Sequence, residues 1–192
     1  MKSEETKIIL KIARKAVENW VRKKIKIKPP AKCPERLKEK KGVFVTLYKK
    51  VMGKEELRGC IGLPYPTKPL IEAIIEAAIS ACEDPRFTPV REDELRDLII
   101  EVSILTTPKR IEFSSTRELL EKIRPFKDGL IIKKGLNSGL FLPQVWEELP
   151  TKEEFLSHLC MKAGLPPGCW LEPGIEVYRF EVEAVKENVG RN

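Results

Sequence analysis

Two strand–turn–strand segments, mixed with helices in no repeating order, are the feature that most restricts how this chain can fold. The first runs from Gly42 to Ile61 through a turn at 52–54, and the second runs from Gly129 to Leu142. Short turns between β-rich runs are typical of antiparallel hairpins. Parallel strands would instead need a repeating strand–helix unit, which the sequence lacks. We therefore predict an α+β fold with a largely antiparallel sheet flanked by helices.

Helices are predicted from a 3.6-residue apolar repeat or from capping residues. Ser3, Ser115 and Thr151 are predicted N-caps, because their side-chain oxygens can accept from free backbone N–H groups. Glu118 and Glu154 stand at the reciprocal positions of capping boxes. The predicted helices span residues 3–24, 69–83, 115–124 and 151–163, with a short helical turn at 92–95.

Two further segments alternate between apolar and polar residues and are predicted to be strands. Residues 98–105 place Ile100 and Val102 on one face and the polar residues on the other. Residues 175–185 alternate in the same way and predict a single half-buried strand. The face that this strand would bury carries Tyr178, Phe180, Val182 and Ala184. Residues 25–41 contain three prolines and no clear period, and they are predicted to form an extended connector.

The 192 residues fit a single domain spanning 1–192. A smaller lobe is predicted at about 108–165, between Pro108 and Pro166. No apolar run approaches the roughly 20 residues that a membrane helix needs. The N-terminus opens into a charged amphipathic segment with no apolar signal core. We therefore predict a cytoplasmic protein with no membrane contact.

The positive charge is concentrated in the first quarter of the chain. Residues 1–50 carry 17 basic and 5 acidic residues, whereas the whole chain has a net charge of +7. This quarter could attract phosphates or nucleic acid, but a solvated lysine-rich surface is the favoured interpretation, because lysine outnumbers arginine 14 to 3 there. The chain has 24 Lys and 25 Glu against one Gln, a balance typical of hyperthermophile proteins.

The five cysteines are odd in number and none has C-x-x-C spacing. His158, Cys160 and Cys169 could supply three zinc ligands, but a structural zinc site needs four. No metal site is therefore predicted. Buried free thiols in a reducing cytosol are the simplest interpretation, and one intracellular disulfide is the alternative if the source is a hyperthermophile.

The segment Leu57–Gly62 is the strongest candidate for a functional site. Gly59 and Gly62 weaken a strand, and such glycines often mark a bulge or the close approach of a ligand. In a regular strand Arg58 and Cys60 share one face, so that a guanidinium could bind an anion beside a reactive thiol. The alternative is that the glycines shape a bulge and Cys60 packs as a small apolar residue.

A second candidate segment follows the helix at 69–83. Asp84, Arg86 and Phe87 could surround a polar ligand, with the aromatic ring as a stacking wall. The alternative is an Asp-Pro turn with the ring anchored in the core. In that case Arg86 would pair with Glu83 or Glu101. Two weaker candidates lie on the polar face of the strand at 98–105, and they are Glu101 and Ser103.

These segments carry a resemblance to a known family. The hexapeptide Leu57-Arg58-Gly59-Cys60-Ile61-Gly62 resembles the signature of the AMMECR family, and further blocks of the chain look like family blocks in the expected order. Those blocks are Val43–Leu47, Asp84–Val90, Glu101–Leu105, Asp128–Ile131, Phe141–Val145 and Lys162–Leu165. The resemblance implies an archaeal stand-alone member with a larger and a smaller lobe, and a cleft lined by the hexapeptide. It also implies Memo-like and radical-SAM proteins as partners.

Two functions remain open from the sequence. The first is an enzyme that acts on a small anionic or nucleotide-like substrate, with Cys60 as the candidate catalytic residue. The second is a non-catalytic module that binds nucleic acid or regulates a partner. The sequence has no phosphate loop, dinucleotide fingerprint or metal-hydrolase motif, so no cofactor is predicted.

Overall fold

The computed structural model describes residues 3–188, apart from the side chain of Ser3, so the predicted Ser3 cap lies outside the described residues. The chain forms two compact units. Unit 1 contains the residues up to Leu105 and those from Glu183 onward, and unit 2 contains Thr106–Val182. Within 3–188, no helix has both the length and the apolar character needed to cross a membrane.

The described residues form four α-helices, eight strands and four short 3-10 helices. The helices are α1 (Ser3–Lys23), α2 (Leu70–Cys82), α3 (Thr116–Lys122) and α4 (Lys152–Lys162). The strands are β1 (Val43–Val51), β2 (Lys54–Leu63), β3 (Leu98–Leu105), β4 (Lys109–Arg110), β5 (Gly129–Lys134), β6 (Asn137–Phe141), β7 (Glu176–Phe180) and β8 (Val182–Lys186). Short 3-10 helices lie at Glu35–Lys38, Glu92–Asp97, Pro143–Glu147 and Cys169–Leu171.

Unit 1 is built on a sheet with the strand order β2-β1-β3-β8. Strand β1 pairs antiparallel with β2 and with β3, which confirms the first predicted hairpin. Val43, Val45 and Leu47 alternate along β1 and are fully buried in one cluster with apolar residues of α1 and α2. The opposite face of β1 is therefore the one that carries Thr46 and Tyr48.

Unit 2 has a second antiparallel sheet, ordered β4-β7-β5-β6, with α4 in the same hydrophobic cluster. Ser115 and Thr151 accept hydrogen bonds from the backbone N–H groups of Glu118 and Glu154, as predicted. The Glu118 carboxylate accepts from the N–H of Ser114 rather than from that of Ser115. Helix α3 ends at Lys122 instead of Arg124, because the backbone at 123 is already extended.

The prediction of a single strand over 175–185 is wrong. The segment forms β7 and β8, which belong to different sheets and are separated at Glu181. Glu181 exchanges hydrogen bonds with Thr106, whose backbone N–H donates to the Glu181 carbonyl and whose Oγ1 accepts from the Glu181 N–H. Of the face predicted to be buried, only Phe180 is buried, and Ala184 is exposed. A two-residue alternation cannot reveal that a chain changes sheets.

One pair of cysteines forms a disulfide, which agrees with the alternative interpretation of the cysteines. Cys160 at the end of α4 is bonded to Cys169, nine residues further along the chain. Cys33 and Cys60 are half-buried free thiols, and Cys82 is a buried one. The simplest interpretation, in which every thiol is free, is therefore wrong. Among the described residues no cluster of three or more His, Cys, Asp or Glu side chains could hold a metal ion.

We expect the double variant C160A/C169A to lose about 2–3 kcal/mol of unfolding free energy, because a crosslink over a short loop restricts the unfolded chain. Chemical denaturation with and without reductant measures the effect. Reductant should destabilise the natural protein and leave the double variant unchanged. An equal midpoint for the natural protein and the double variant would show that the disulfide contributes nothing.

Candidate functional site

A β-bulge in β2 determines where the hexapeptide side chains go. Leu47 lies opposite Gly59 and Tyr48 lies opposite Leu57, so Arg58 is an extra residue with no partner in β1. A bulge of this kind breaks the alternation of side chains between the two faces. The expectation that Arg58 and Cys60 share a face of a regular strand is therefore wrong.

Arg58 is instead committed to Glu94 in the 3-10 helix Glu92–Asp97. Its Nε donates to Glu94 Oε1 at 3.0 Å and its Nη2 donates to Oε2 at 2.9 Å. Lys49 and the backbone N–H of Arg91 also donate to Glu94. The hydrogen bonds from Arg58 are the main reason that the pKa of Glu94 falls to about 2. The Arg58 side chain is only 11 % exposed, and its Nη1 is buried without a hydrogen-bond partner among the described residues. The predicted ligand-binding role of Arg58 stays a prediction.

The two glycines allow close contacts within the protein. A Cβ on Gly59 would lie 2.2 Å from the carbonyl oxygen of Ala81 near the end of α2. A Cβ on Gly62 would lie 2.2 Å from the ring of Phe44. The absence of a side chain at Gly59 therefore lets β2 approach the end of α2 closely, and the Phe44 ring occupies the space beside Gly62. The predicted role of these glycines in ligand binding stays a prediction.

Cys60 belongs to a row of three side chains that crosses the sheet. Thr46 on β1 lies opposite Cys60 on β2 and also opposite Glu101 on β3. Directly opposed residues of antiparallel strands project from the same face. The Thr46 Oγ1 donates to the Cys60 Sγ at 3.3 Å. We call Cys60, Thr46 and Glu101 the Cys60 row.

Tyr48 and Lys186 flank this row. Tyr48 follows Thr46 by two residues on the same face of β1, and the Lys186 Nζ lies 4.1 Å from the centre of its ring. The same Nζ is 4.0 Å from Glu101 Oε2. Burial, followed by the negative charges of Glu101 and Cys60, raises the pKa of Tyr48. The phenol thus keeps its proton at neutral pH and can donate a hydrogen bond.

Ser103 occupies the neighbouring row of the sheet. It shares a face of β3 with Glu101, as predicted, and lies opposite Phe44 on β1. Ser103 is almost fully buried, whereas Glu101 is partly accessible. Of these two weaker candidates, Glu101 is thus the one that solvent can reach.

Asp84 and Arg86 hold the backbone of Cys60 from the outer edge of β2. Asp84 Oδ2 accepts from the Cys60 N–H at 2.8 Å, and Arg86 Nη2 donates to the Cys60 carbonyl at 3.2 Å. Arg86 Nε and Nη2 also donate to the Asp84 carboxylate, at 3.0 and 2.7 Å. Both backbone groups of an edge residue are therefore satisfied without another strand. We call this pair the Cys60 clamp.

The clamp has a buried acid and an exposed base. Asp84 is 2 % exposed, and hydrogen bonds from Arg86 hold its pKa well below the usual range. The Arg86 side chain is 57 % exposed, and its guanidinium carbon lies 5.7 Å from the centre of the half-buried Phe87 ring. The predicted pairing of Arg86 with Glu83 or Glu101 is wrong, because its carboxylate partner is Asp84.

Sequence reasoning missed four residues around Cys60. Thr46 and Tyr48 could have been found, because they occupy the polar phase of β1 between apolar residues. Glu94 and Lys186 gave no local signal. Glu94 is 36 residues from its partner Arg58 along the chain, and Lys186 is 131 residues from its partner Glu55.

The fold and this site define an α+β protein with two antiparallel sheets and a bulged edge strand that presents a thiol beside a polar row. The family model described as AMMECR1 matches residues 10–185. The chain belongs to the AMMECR1 family, which confirms the resemblance carried by the hexapeptide.

Archaeal relatives match over almost their whole length. A protein of Thermococcus onnurineus is 50 % identical over 97 % of this chain and 92 % of its own. Protein MK0488 of Methanopyrus kandleri is 49 % identical over 96 % of this chain and 89 % of its own. The crystal structure of the uncharacterized protein PH0010 from Pyrococcus horikoshii has a TM-score of 0.87 and 45 % identity, covering 98 % of this chain and 94 % of that one.

Proposed function

We propose that this protein is a cytoplasmic enzyme that uses the Cys60 thiol as a nucleophile on a small anionic substrate. One observation carries the proposal. The Sγ of the half-buried Cys60 accepts a hydrogen bond from Thr46, and the Cys60 clamp forms hydrogen bonds with both the N–H and the carbonyl of Cys60. A nucleophile fixed in this way needs little reorganisation before it attacks.

The neighbouring groups supply the remaining chemistry. A hydrogen bond donated to sulfur favours the thiolate, which is the reactive form. In the proposed step the thiol proton passes through solvent to the Glu101 carboxylate, and the thiolate, which accepts the Thr46 hydrogen bond, forms a bond to an electrophilic carbon. The leaving group departs with the electron pair of the broken bond and takes the proton back from Glu101. Tyr48 donates a hydrogen bond to the substrate, and the exposed Arg86 guanidinium meets its negative charge.

The nucleic-acid alternative receives less support. Several cations of the basic N-terminal quarter are paired with carboxylates from elsewhere in the chain, including Lys24 with Glu83 and Lys26 with Glu76. Such pairs reduce the number of charges free to displace counterions from phosphates. The Memo-like and radical-SAM partners implied by the family resemblance stay a prediction.

Alkylation kinetics test the proposal. We expect iodoacetamide to modify Cys60 about tenfold faster than a model cysteine peptide at neutral pH, because one hydrogen bond to the thiolate is worth about 1.4 kcal/mol. T46V should return the rate to that of the peptide. Mass spectrometry identifies the modified residue, and the half-buried Cys33 of the same molecule is the internal reference. A Cys60 rate no higher than that of the peptide would exclude an activated nucleophile.

A further inference from the structure

Unit 1 has an opening whose lining is separate from the Cys60 row. Its volume is about 640 Å³, and it is bordered by α1, the end of β1, the 3-10 helix Glu92–Asp97 and the residues that follow β8. Small-molecule sites have volumes of roughly 300–1,000 Å³, so the opening is large enough for a nucleotide-sized ligand. Its lining includes no residue of the Cys60 row or the Cys60 clamp.

One ion pair forms a fixed part of the wall. Arg14 Nε donates to Glu187 Oε1 at 3.0 Å, and its two terminal nitrogens donate to the carbonyls of Leu95 and Leu98. Glu187 also accepts from the backbone N–H of Ile100 at 2.9 Å. Arg14 and Glu187 therefore neutralise each other and bind backbone groups. The other charged side chains of the lining determine the electrostatic potential of the opening.

The remaining charges favour an anion. Lys7 on α1, Lys50 on β1 and Arg96 on the 3-10 helix line the opening, with Asp97 as the opposing carboxylate. Arg96 lies 3.6 Å from Asp97, but its side chain is 86 % exposed and free to turn.

Within residues 3–188, neither Lys7 nor Lys50 belongs to an ion pair. Lys50 lies opposite Glu55 on β2, but Glu55 pairs with Lys186. The lining side chains therefore keep a net charge of +2 in a concave surface, where walls of low dielectric concentrate the field.

We propose that this opening is a second ligand site, which binds a phosphorylated metabolite of nucleotide size. Lysine binds phosphate as a compact point charge, and the three cations come from three separate elements, so they can contact several phosphate oxygens from different directions. The half-buried Leu10 supplies an apolar wall for the remainder of the ligand. Proteins hold small molecules through this combination of apolar surface and a few convergent polar groups.

Titration calorimetry with ATP and with inorganic triphosphate at 50 mM salt tests the site. The charge-reversal variant K7E/K50E changes two exposed lysines that line the opening. Its control, K15E/K54E, changes two exposed lysines outside the opening by the same net charge. We expect K7E/K50E to weaken ATP binding at least about tenfold, and the control to weaken it less than about twofold.

Four results would overturn the proposal. The first is that neither ATP nor triphosphate binds the natural protein. The second is that both double variants weaken binding equally, which would show an effect of net charge alone. The third is that a short single-stranded RNA binds more tightly than ATP and loses affinity equally in both variants, as expected of a nonspecific phosphate surface. The fourth is that C60S loses ATP binding, because a site separate from the Cys60 row should bind ATP equally well in this variant.

Discussion

Gly59→Ala is expected to lower the free energy of unfolding by about 3 kcal/mol or more, because the new methyl group would be forced into the backbone of α2. The added Cβ would lie 2.2 Å from the carbonyl oxygen of Ala81 and 3.3 Å from its carbonyl carbon. These are main-chain atoms, and they cannot rotate away as a side chain can. To remove this clash, β2 must move away from the end of α2, which is close to Asp84 of the Cys60 clamp.

Two other glycines provide graded controls for this prediction. Gly168→Ala adds a methyl group with no atom within 4 Å and should change stability by less than about 0.5 kcal/mol. Gly62→Ala should have an intermediate effect, because the atoms in its way belong to the Phe44 side chain, which can rotate. Denaturant unfolding of the three variants measures the series. Equal midpoints for Gly59→Ala and Gly168→Ala would mean that the strand does not press on the helix.

Glu94→Gln is expected to destabilise the protein by about 3 kcal/mol at pH 7, because it leaves Arg58 buried without its charged partner. Hydrogen bonds from Arg58 lower the pKa of Glu94 from the 4.5 of a free glutamate to about 2 in the folded protein. A lowered folded-state pKa means that the carboxylate contributes its full stabilisation above about pH 4.5. That contribution falls as the pH drops towards 2, where the folded protein also takes up the proton.

The pH dependence separates this ion pair from simple packing. The difference in unfolding free energy between the natural protein and Glu94→Gln should be constant from pH 8 to about 5 and shrink between about 5 and 2. Lys49→Met should have a smaller effect, because the Lys49 side chain is 33 % exposed and its charge is partly screened. A difference that does not change with pH would show that the charge of Glu94 contributes nothing.

Local signals predicted the regular elements well. The β-rich runs on either side of the turn at 52–54 predicted the first hairpin, which β1 and β2 form. The caps at Ser115 and Thr151 involve hydrogen bonds to residues three positions away, so they too are contained in a short stretch of sequence. The hexapeptide Leu57–Gly62 indicated both the family and the location of the candidate thiol.

The site itself was only partly predictable. Cys60, Asp84, Arg86 and Glu101 were all identified, but their relations to one another were not. The ligand-binding role of Arg86 stays a prediction, and its hydrogen bonds to the Asp84 carboxylate and the Cys60 carbonyl were not predicted. An arginine and an aspartate two residues apart can meet in a turn or point in opposite directions, and the order of the residues does not distinguish these arrangements.

The sequence by itself determined the helices, the two hairpins, the α+β class and the family, because apolar periodicity, turn residues and caps act over a few neighbouring positions. Only the tertiary structure decided the bulge at Arg58, the pairing of that guanidinium with Glu94, and the change of sheet at Glu181. Each of these depends on which distant backbone groups and charges come together in the folded chain, since hydrogen bonding and burial are properties of the packed structure.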